Sequence, residues 1–319
     1  MKILFTCVGR RVELLQEFRK AAKDLNIDLE IIGTDITDTA PAMFFCDKKK
    51  VVCRISDSNY VQNLVDICLE EKITAIIPTI DTDLFVLSQN KSRFEKSGVK
   101  VFISDPDKIK ICRDKRDTAK FFFEIGLNTP IPTDDWKKYD CGYPAFIKPK
   151  DGSSSVNVHK VNDIQELEAY AKEVPDYIVA PFIAGVEYTV DAFCDYEGNP
   201  IFITPRIRLA VRSGEVLKTR IEQDEVIIKE TETILKAFKP CGAITIQLIR
   251  EDKTGKDYFI EINPRFGGGA PLSMKAGANS AKAVLKLLQG KSLEFEAGAA
   301  KNGAIYSRFD QSICVNEND

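Results

Sequence analysis

Histidine occurs once in 319 residues, at position 159. That scarcity excludes Ser-His and Cys-His nucleophilic mechanisms and multi-histidine zinc sites, unless His159 is itself the base. His159 sits in a stretch, Ser155 to Val161, that alternates as a strand does, and it reads as an ordinary strand residue. A glutamine-hydrolysing Cys-His site is equally disfavoured, so any ammonia used would come from solution or a separate partner. The nine cysteines are odd in number, form no C-x-x-C pair and lie mostly in apolar segments such as Val65 to Leu69. They read as reduced thiols in a reducing compartment, which points to the cytoplasm. No apolar run approaches the ~20 residues of a membrane span, and the opening Ile3 to Gly9 is followed at once by Arg10 and Arg11. It reads as a first strand, not a signal peptide. Excess charge is lacking too: 45 Lys and Arg against 48 Asp and Glu leave −3, so neither nucleic acid nor anionic membrane is the default partner. The first turn, Cys7-Val8-Gly9-Arg10-Arg11, lacks G-x-G-x-x-G. This disfavours a nicotinamide-dependent enzyme, although Asp35 at the end of a second strand suggests a ribose contact.

What is present is a chain long enough for two or three lobes, with 44% hydrophobic and 29% charged residues. The first hundred residues alternate strand and helix in the manner of an open parallel sheet: strands at Lys2–Thr6, Leu29–Gly33, Lys72–Pro78 and Val99–Ile103, and a helix through Val12, Leu15, Phe18, Ala22 and Leu25. Ligands in such sheets lie beyond the carboxyl ends of the strands, where Gly9, Arg10, Arg11, Asp35, Asp81 and Asp83 fall. Arg10, Arg11, Asp81 and Asp83 are candidates for a substrate pocket, against the plainer reading of surface charge. Asp105-Pro106-Asp107 breaks the pattern and marks a boundary. A helix should then run from a cap at Asp114 to Gly126, with Lys115 in its first turn against the helix dipole, a cost that a bound anion would offset.

Three later segments carry candidate chemistry. Tyr143 to Val158 places Phe146 and Lys148 on one face of a short strand, before the small polar loop Asp151-Gly152-Ser153-Ser154-Ser155, whose backbone N–H groups can close over phosphate oxygens. Arg206 and Arg208 share a strand face in a basic region with Arg212, Lys218 and Arg220, where they would bind phosphate or a carboxylate, with Arg206 best placed, or form a solvated basic face. In Ala243 to Arg265, two strands joined by Lys253-Thr254-Gly255-Lys256 put Thr245, Gln247 and Ile249 on one face, and Phe259, Glu261 and Asn263 on one face of the next. A register setting Gln247 opposite Glu261 would gather Gln247, Glu261 and Asn263 as three hard oxygen ligands suited to Mg²⁺, with Arg265 just beyond. An amphipathic hairpin with a polar outer face is the plain alternative.

Gln247 followed by Glu261-x-Asn263-Pro264-Arg265, then Gly267, Gly268, Gly269, Met274, Lys275, Ala276 and Gly277, resembles the ATP-grasp superfamily, and within it the synthetase halves of the carbamoyl-phosphate synthase large subunit. The resemblance implies an α/β chain: an N-terminal open parallel-sheet, Rossmann-like pre-ATP-grasp lobe over residues 1–108, then a two-subdomain α+β ATP-grasp domain over 109–319, divided into a lid (109–185) and a C-terminal metal-binding part (186–319). It implies ATP and two magnesium ions, with manganese as an alternative. Gln247, Glu261 and Asn263 would hold the metal, and Lys115 and Lys148 would reach the nucleotide phosphates. Gly152, Ser153, Ser154 and Ser155 would cover them, and backbone near Phe182 and Ile183 would read adenine. Glu187 would hold the ribose, and Arg265 would stabilise the transferring phosphoryl group. The sequence departs from the family at Pro181, where relatives often carry an acidic residue near the adenine amine. The implied reaction joins a carboxylate or bicarbonate to an amine or ammonia through an acyl phosphate. A homodimer or an ammonia-supplying partner stays open, as does a catalytically idle nucleotide-binding module.

Overall fold

The computed structural model describes residues 1–152 and 157–316. Its first sheet is parallel, with strands β1 (Lys2–Thr6), β2 (Glu30–Asp35), β3 (Lys48–Val51), β4 (Ala75–Pro78) and β5 (Lys100–Val101) in the order β3-β2-β1-β4-β5. Ile3, Leu4 and Phe5 of β1 are wholly buried, because helices cover both faces of a parallel sheet. The helix Val12–Asp24 follows β1 and buries Leu14, Leu15, Phe18, Ala21 and Ala22 at helical spacing. Between them Gly9 takes φ +46° and donates its N–H to Asp35 Oδ2 at 2.9 Å. Asp35, the suggested ribose contact, is thus occupied in holding this turn.

A small antiparallel sheet follows, β6 (Ala145–Pro149), β7 (His159–Val161) and β8 (Tyr177–Pro181), in the order β7-β6-β8. His159 is the strand residue expected, stacked on Tyr170 with ring centroids 4.1 Å apart. The third sheet is antiparallel and six-stranded, with β9 (Gly185–Cys194), β10 (Pro200–Arg212), β11 (Glu215–Ile221), β12 (Gly242–Glu251), β13 (Asp257–Asn263) and β14 (Ile305–Ser307) in the order β13-β12-β9-β10-β11-β14. Its even face on β12, Ile244, Ile246 and Leu248, packs against Ile227, Ile234, Leu235 and Phe238 of the helix Glu225–Phe238 and Phe122 of the helix Lys115–Glu124. The odd face carries Thr245 and Gln247, with Ala243 in a separate apolar core.

Three details depart from the sequence reading. The break at Asp105-Pro106 is a helix start: Pro106 occupies the first position of Pro106–Arg113, where its missing N–H costs nothing, so residue 108 lies inside a helix. Phe259 does not share a face with Glu261. Gln247 pairs with Glu261 but Leu248 pairs with Phe259, which leaves Ile260 as a bulge and turns Phe259 into the apolar core. Finally, the helices Ala270–Ala276 and Ser280–Leu288 send Met274, Ala281, Val284 and Leu285 into one core with Ile3, Phe5, Leu15 and Phe18 of the first lobe.

Candidate active site

The polar face of the large sheet is assembled by register. One cross-strand row runs Glu261, Gln247, Thr189, Arg206, and the next runs Asn263, Thr245, Asp191, Thr204. Directly opposed residues have Cβ atoms ~5 Å apart, so Glu261 and Gln247 are neighbours and Asn263 stands beside them on the same face. A cleft opens beside it, lined by Glu261 and Asn263 together with Lys115, Gly152, Arg113, Asp151 and Asp81.

Lys115 enters this cleft because Asp114 caps its helix, accepting the Arg116 N–H at 2.9 Å. Lys115 Nζ donates to the Gly152 carbonyl at 3.0 Å, and Arg113 pairs with Asp151 at 2.7 Å, so both side chains pin the chain entering the small polar loop. Ser153, Ser154 and Ser155 lie outside the described residues. Lys148, on β6, faces the same charges: burial pushes its ammonium down to about 8, the positive charge of Lys115 adds to that, and Glu261 opposes it. Burial likewise holds Lys115 below the ordinary lysine value, with Glu261 the first opposing charge. Two half-buried ammonium groups thus face Glu261, with Asp151 also near Lys115, an arrangement that favours an incoming anion.

The donor set suits magnesium presented on phosphates. One carboxylate and two amides give hard oxygen donors, too few to cage an ion without ligands from a substrate. Among the described residues no group of three or more His, Cys, Asp or Glu side chains could hold a metal ion.

Other expected residues are placed differently. Glu187 lies on β9 two positions from Thr189, opposite Ile249, with Arg208 Nε 3.4 Å from its Oε2. Phe182 donates its N–H to the Pro144 carbonyl at 3.2 Å, since the β6–β8 pairing runs on one residue past Pro181, so this donor is not free to read a base. Phe182 is flanked by Phe146 at 5.2 Å and by Lys160 over its ring at 4.0 Å, and Ile183 follows it half-buried. Arg206 does not reach the cleft. It is 2% exposed, its Nε donates to Asp191 Oδ2 at 2.8 Å, Asp191 also accepts from Ser273 Oγ at 2.7 Å, and a Cβ on Gly269 would overlap its guanidinium. Arg206 supports the glycine run from beneath.

Arg265 crosses between lobes: its Nη2 donates to Asp81 Oδ2 at 2.6 Å, while its Nε is buried with no partner among the described residues. Of the four substrate-pocket candidates, Asp81 and Arg11 face this region, whereas Arg10 is exposed beside Asp310. Asp83 is wholly buried and accepts from Thr6 Oγ1 at 2.6 Å, because two residues along a helix is more than half a turn away from Asp81. Sequence reasoning missed Arg113, Glu215 and Arg308, and named Asp151 only as the start of the small polar loop. Of the three missed, Arg113 alone carried a signal, its place just before the Asp114 cap.

Residues 3–102 match the family model described as PylC-like, N-terminal domain, and residues 112–269 match the one described as ATP-grasp domain. A carbamoyl phosphate synthase large chain from Thermoanaerobacter sp. (strain X514) is 28% identical over 224 residues, which cover 62% of this chain and 20% of that protein. The chain therefore spans about a fifth of the length of that curated relative. Among solved structures, the biotin carboxylase domain of Hydrogenobacter thermophilus 2-oxoglutarate carboxylase, a dimer in complex with MgADP, ADP and bicarbonate, superposes with a TM-score of 0.74 at 20% identity, over 95% of this chain and 73% of that one. The L-amino acid ligase from Bacillus licheniformis is also similar, at 20% identity over 93% of this chain and 77% of that one. Two adjoining family matches, one to each lobe, agree with a parallel-sheet lobe followed by two antiparallel sheets, and on that ground residues 112–269 form an ATP-grasp domain.

Proposed function

We propose that the chain is an ATP-dependent carboxylate–amine ligase working through an acyl phosphate. One observation carries this reading: the register that sets Gln247 opposite Glu261, with Asn263 on the same face, beside a cleft lined by Glu261, Asn263, Lys115 and Gly152. Lys148 and Lys115 neutralise the polyphosphate, and Gly152 opens the small polar loop whose N–H groups would cover it; Ser153, Ser154 and Ser155 of that loop lie outside the described residues. Phe182, Ile183 and Glu187 flank the adenosine. Gln247, Glu261 and Asn263 hold magnesium, two ions with manganese as an alternative, which when bound neutralises charge on the transferring phosphoryl group. A carboxylate oxygen of the acid attacks the γ-phosphorus and ADP leaves. The amine then attacks the acyl carbon and phosphate leaves. These steps need positioning and charge neutralisation more than a titrating base, which agrees with a chain almost without histidine. Arg265, held by Asp81 just past the metal ligands, is the guanidinium assigned to the developing charge, and loss of one such donor typically costs ~10²–10³ in rate. The acid is a small carboxylate or bicarbonate, and the nitrogen comes from an amine or ammonia. No helix among the described residues is long and apolar enough to cross a membrane, and the reducing cytoplasm suits nine free cysteines. The test is phosphate release across a panel of carboxylates and bicarbonate, each paired with amino acids or ammonia, with products identified by mass. ATP hydrolysis that never yields a joined product would reject the ligase.

A further inference from the structure

The turn that closes β1 brings Arg11 beside charged residues of both lobes. Its N–H donates to the Val8 carbonyl at 2.8 Å, and its own carbonyl accepts from Leu15 at 3.2 Å, so it opens the helix Val12–Asp24 on a short, pinned turn. The charges facing its guanidinium are Arg265, Glu215, Asp81 and Arg308. Each of these four already has a partner. Asp81 holds Arg265 at 2.6 Å, Glu215 holds Arg308 at 3.2 Å, and Arg308 leans toward Glu13 at 3.7 Å, which Lys275 already pairs. Three guanidinium groups against the two carboxylates of Asp81 and Glu215 leave one positive charge in surplus. Burial, and after it the charge of Arg265, holds the Arg11 guanidinium down to about 10, as expected of a cation lacking its counter-ion.

The wall of this space is the glycine run that follows Arg265. A Cβ on Gly268 would overlap the Glu215 carboxylate, so bare backbone lies against that side chain. The surplus charge therefore sits on the same side as Arg265. A guanidinium fork matches a carboxylate bidentately, and one surplus positive charge matches a monoanion. A phosphate would bring nearly two negative charges to face Asp81 and Glu215 as well.

We propose that Arg11 binds a second carboxylate, carried by a substrate in addition to the carboxylate that is phosphorylated, so that the substrate pair includes an amino acid or a dicarboxylic acid instead of bicarbonate with ammonia. This rests on the ligase reading above and narrows it. The second carboxylate belongs either to the acid or to the amine, and matched probes separate the two. For the acid arm, succinate is compared with its monoamide. For the amine arm, each amino acid is compared with the amine left after removal of its carboxylate, such as L-alanine with ethylamine. Product formation is measured by mass on the full chain with magnesium and ATP, for wild type, Arg11→Met and Arg11→Lys, and the dissociation constant of an ATP analogue is measured on all three.

The expected result is product from carboxylate-bearing probes in one arm, with KM for that probe raised about 30-fold or more in Arg11→Met through loss of a charge-assisted pair. Arg11→Lys should recover part of the loss, nucleotide affinity should stay within about twofold as a check on folding, and the matched probe lacking the carboxylate should be indifferent to either variant. Products formed equally well from bicarbonate with ammonia, or from probes without the second carboxylate, would overturn the inference while leaving the ligase intact. No product from any pair would instead count against the ligase reading, and the inference would fall with it.

Discussion

Lys148 should make nucleotide binding fall as pH rises through a range in which ordinary lysines do not titrate. Burial and the neighbouring Lys115 ammonium bring it to about 8 in the free protein. A lysine of that pKa is ~90% charged at pH 7 and ~10% charged at pH 9, so if only the ammonium form meets phosphate, the apparent dissociation constant rises about tenfold across that interval. The effect on stability has the opposite sign. An unfolded lysine keeps its proton to about pH 10.4, so between pH 8 and 10 the folded protein binds fewer protons and its stability rises with pH, by at most about 3 kcal/mol for a shift of some two units. Weaker binding together with firmer folding in one window separates this mechanism from alkaline unfolding. Calorimetric titration of a non-hydrolysable ATP analogue with magnesium between pH 7 and 9, beside denaturant unfolding of the free protein, measures both. Lys148→Arg should flatten most of the pH dependence because the guanidinium stays charged, the remainder coming from Lys115, which burial also lowers. An affinity flat within about twofold from pH 7 to 9 would show that Lys148 does not meet the phosphates.

Other outcomes follow from the same geometry. Glu261→Gln removes the one carboxylate of the Gln247, Glu261 and Asn263 set, and should cut magnesium-dependent ATP turnover by ~100-fold or more with an unchanged circular dichroism spectrum; turnover within a fewfold of wild type refutes the metal assignment. Arg265→Ala should lower the rate of ligation ~10²–10³-fold while nucleotide affinity changes much less, and Asp81→Asn should do the same more weakly by releasing the guanidinium it holds at 2.6 Å. Equal losses of affinity and rate would make Arg265 a nucleotide-binding residue. Gly185→Ala should destabilise the fold by more than about 2 kcal/mol in denaturant titrations, because its Cβ would overlap the Arg250 carbonyl of the paired strand β12. A cost under about 1 kcal/mol would mean that β9 shifts freely at its start.

The sequence by itself determined what depends on local period and local chemistry. Alternation over Thr245 to Ile249 and over Glu261 to Asn263 marked two strands and their polar faces, because side-chain direction along a strand is set within two residues. The cap at Asp114 placed Lys115 in a first helical turn for the same reason, and the observed hydrogen bond to the Arg116 N–H agrees. Tertiary structure decided the rest. Whether Gln247 faced Glu261 depended on register between strands. The bulge at Ile260, which sent Phe259 into the core, is a packing event that alternation cannot announce. Arg206 and Arg208 share a face in sequence, with Arg206 the better placed to meet a ligand, yet Arg206 is buried against Asp191 with the glycine run folded over it. The union of Arg265 with Asp81 spans 184 residues and two lobes. Such a contact follows from how the cores of Ile3 to Phe18 and Met274 to Leu285 merge, and burial of apolar surface shared between distant segments has no period to read.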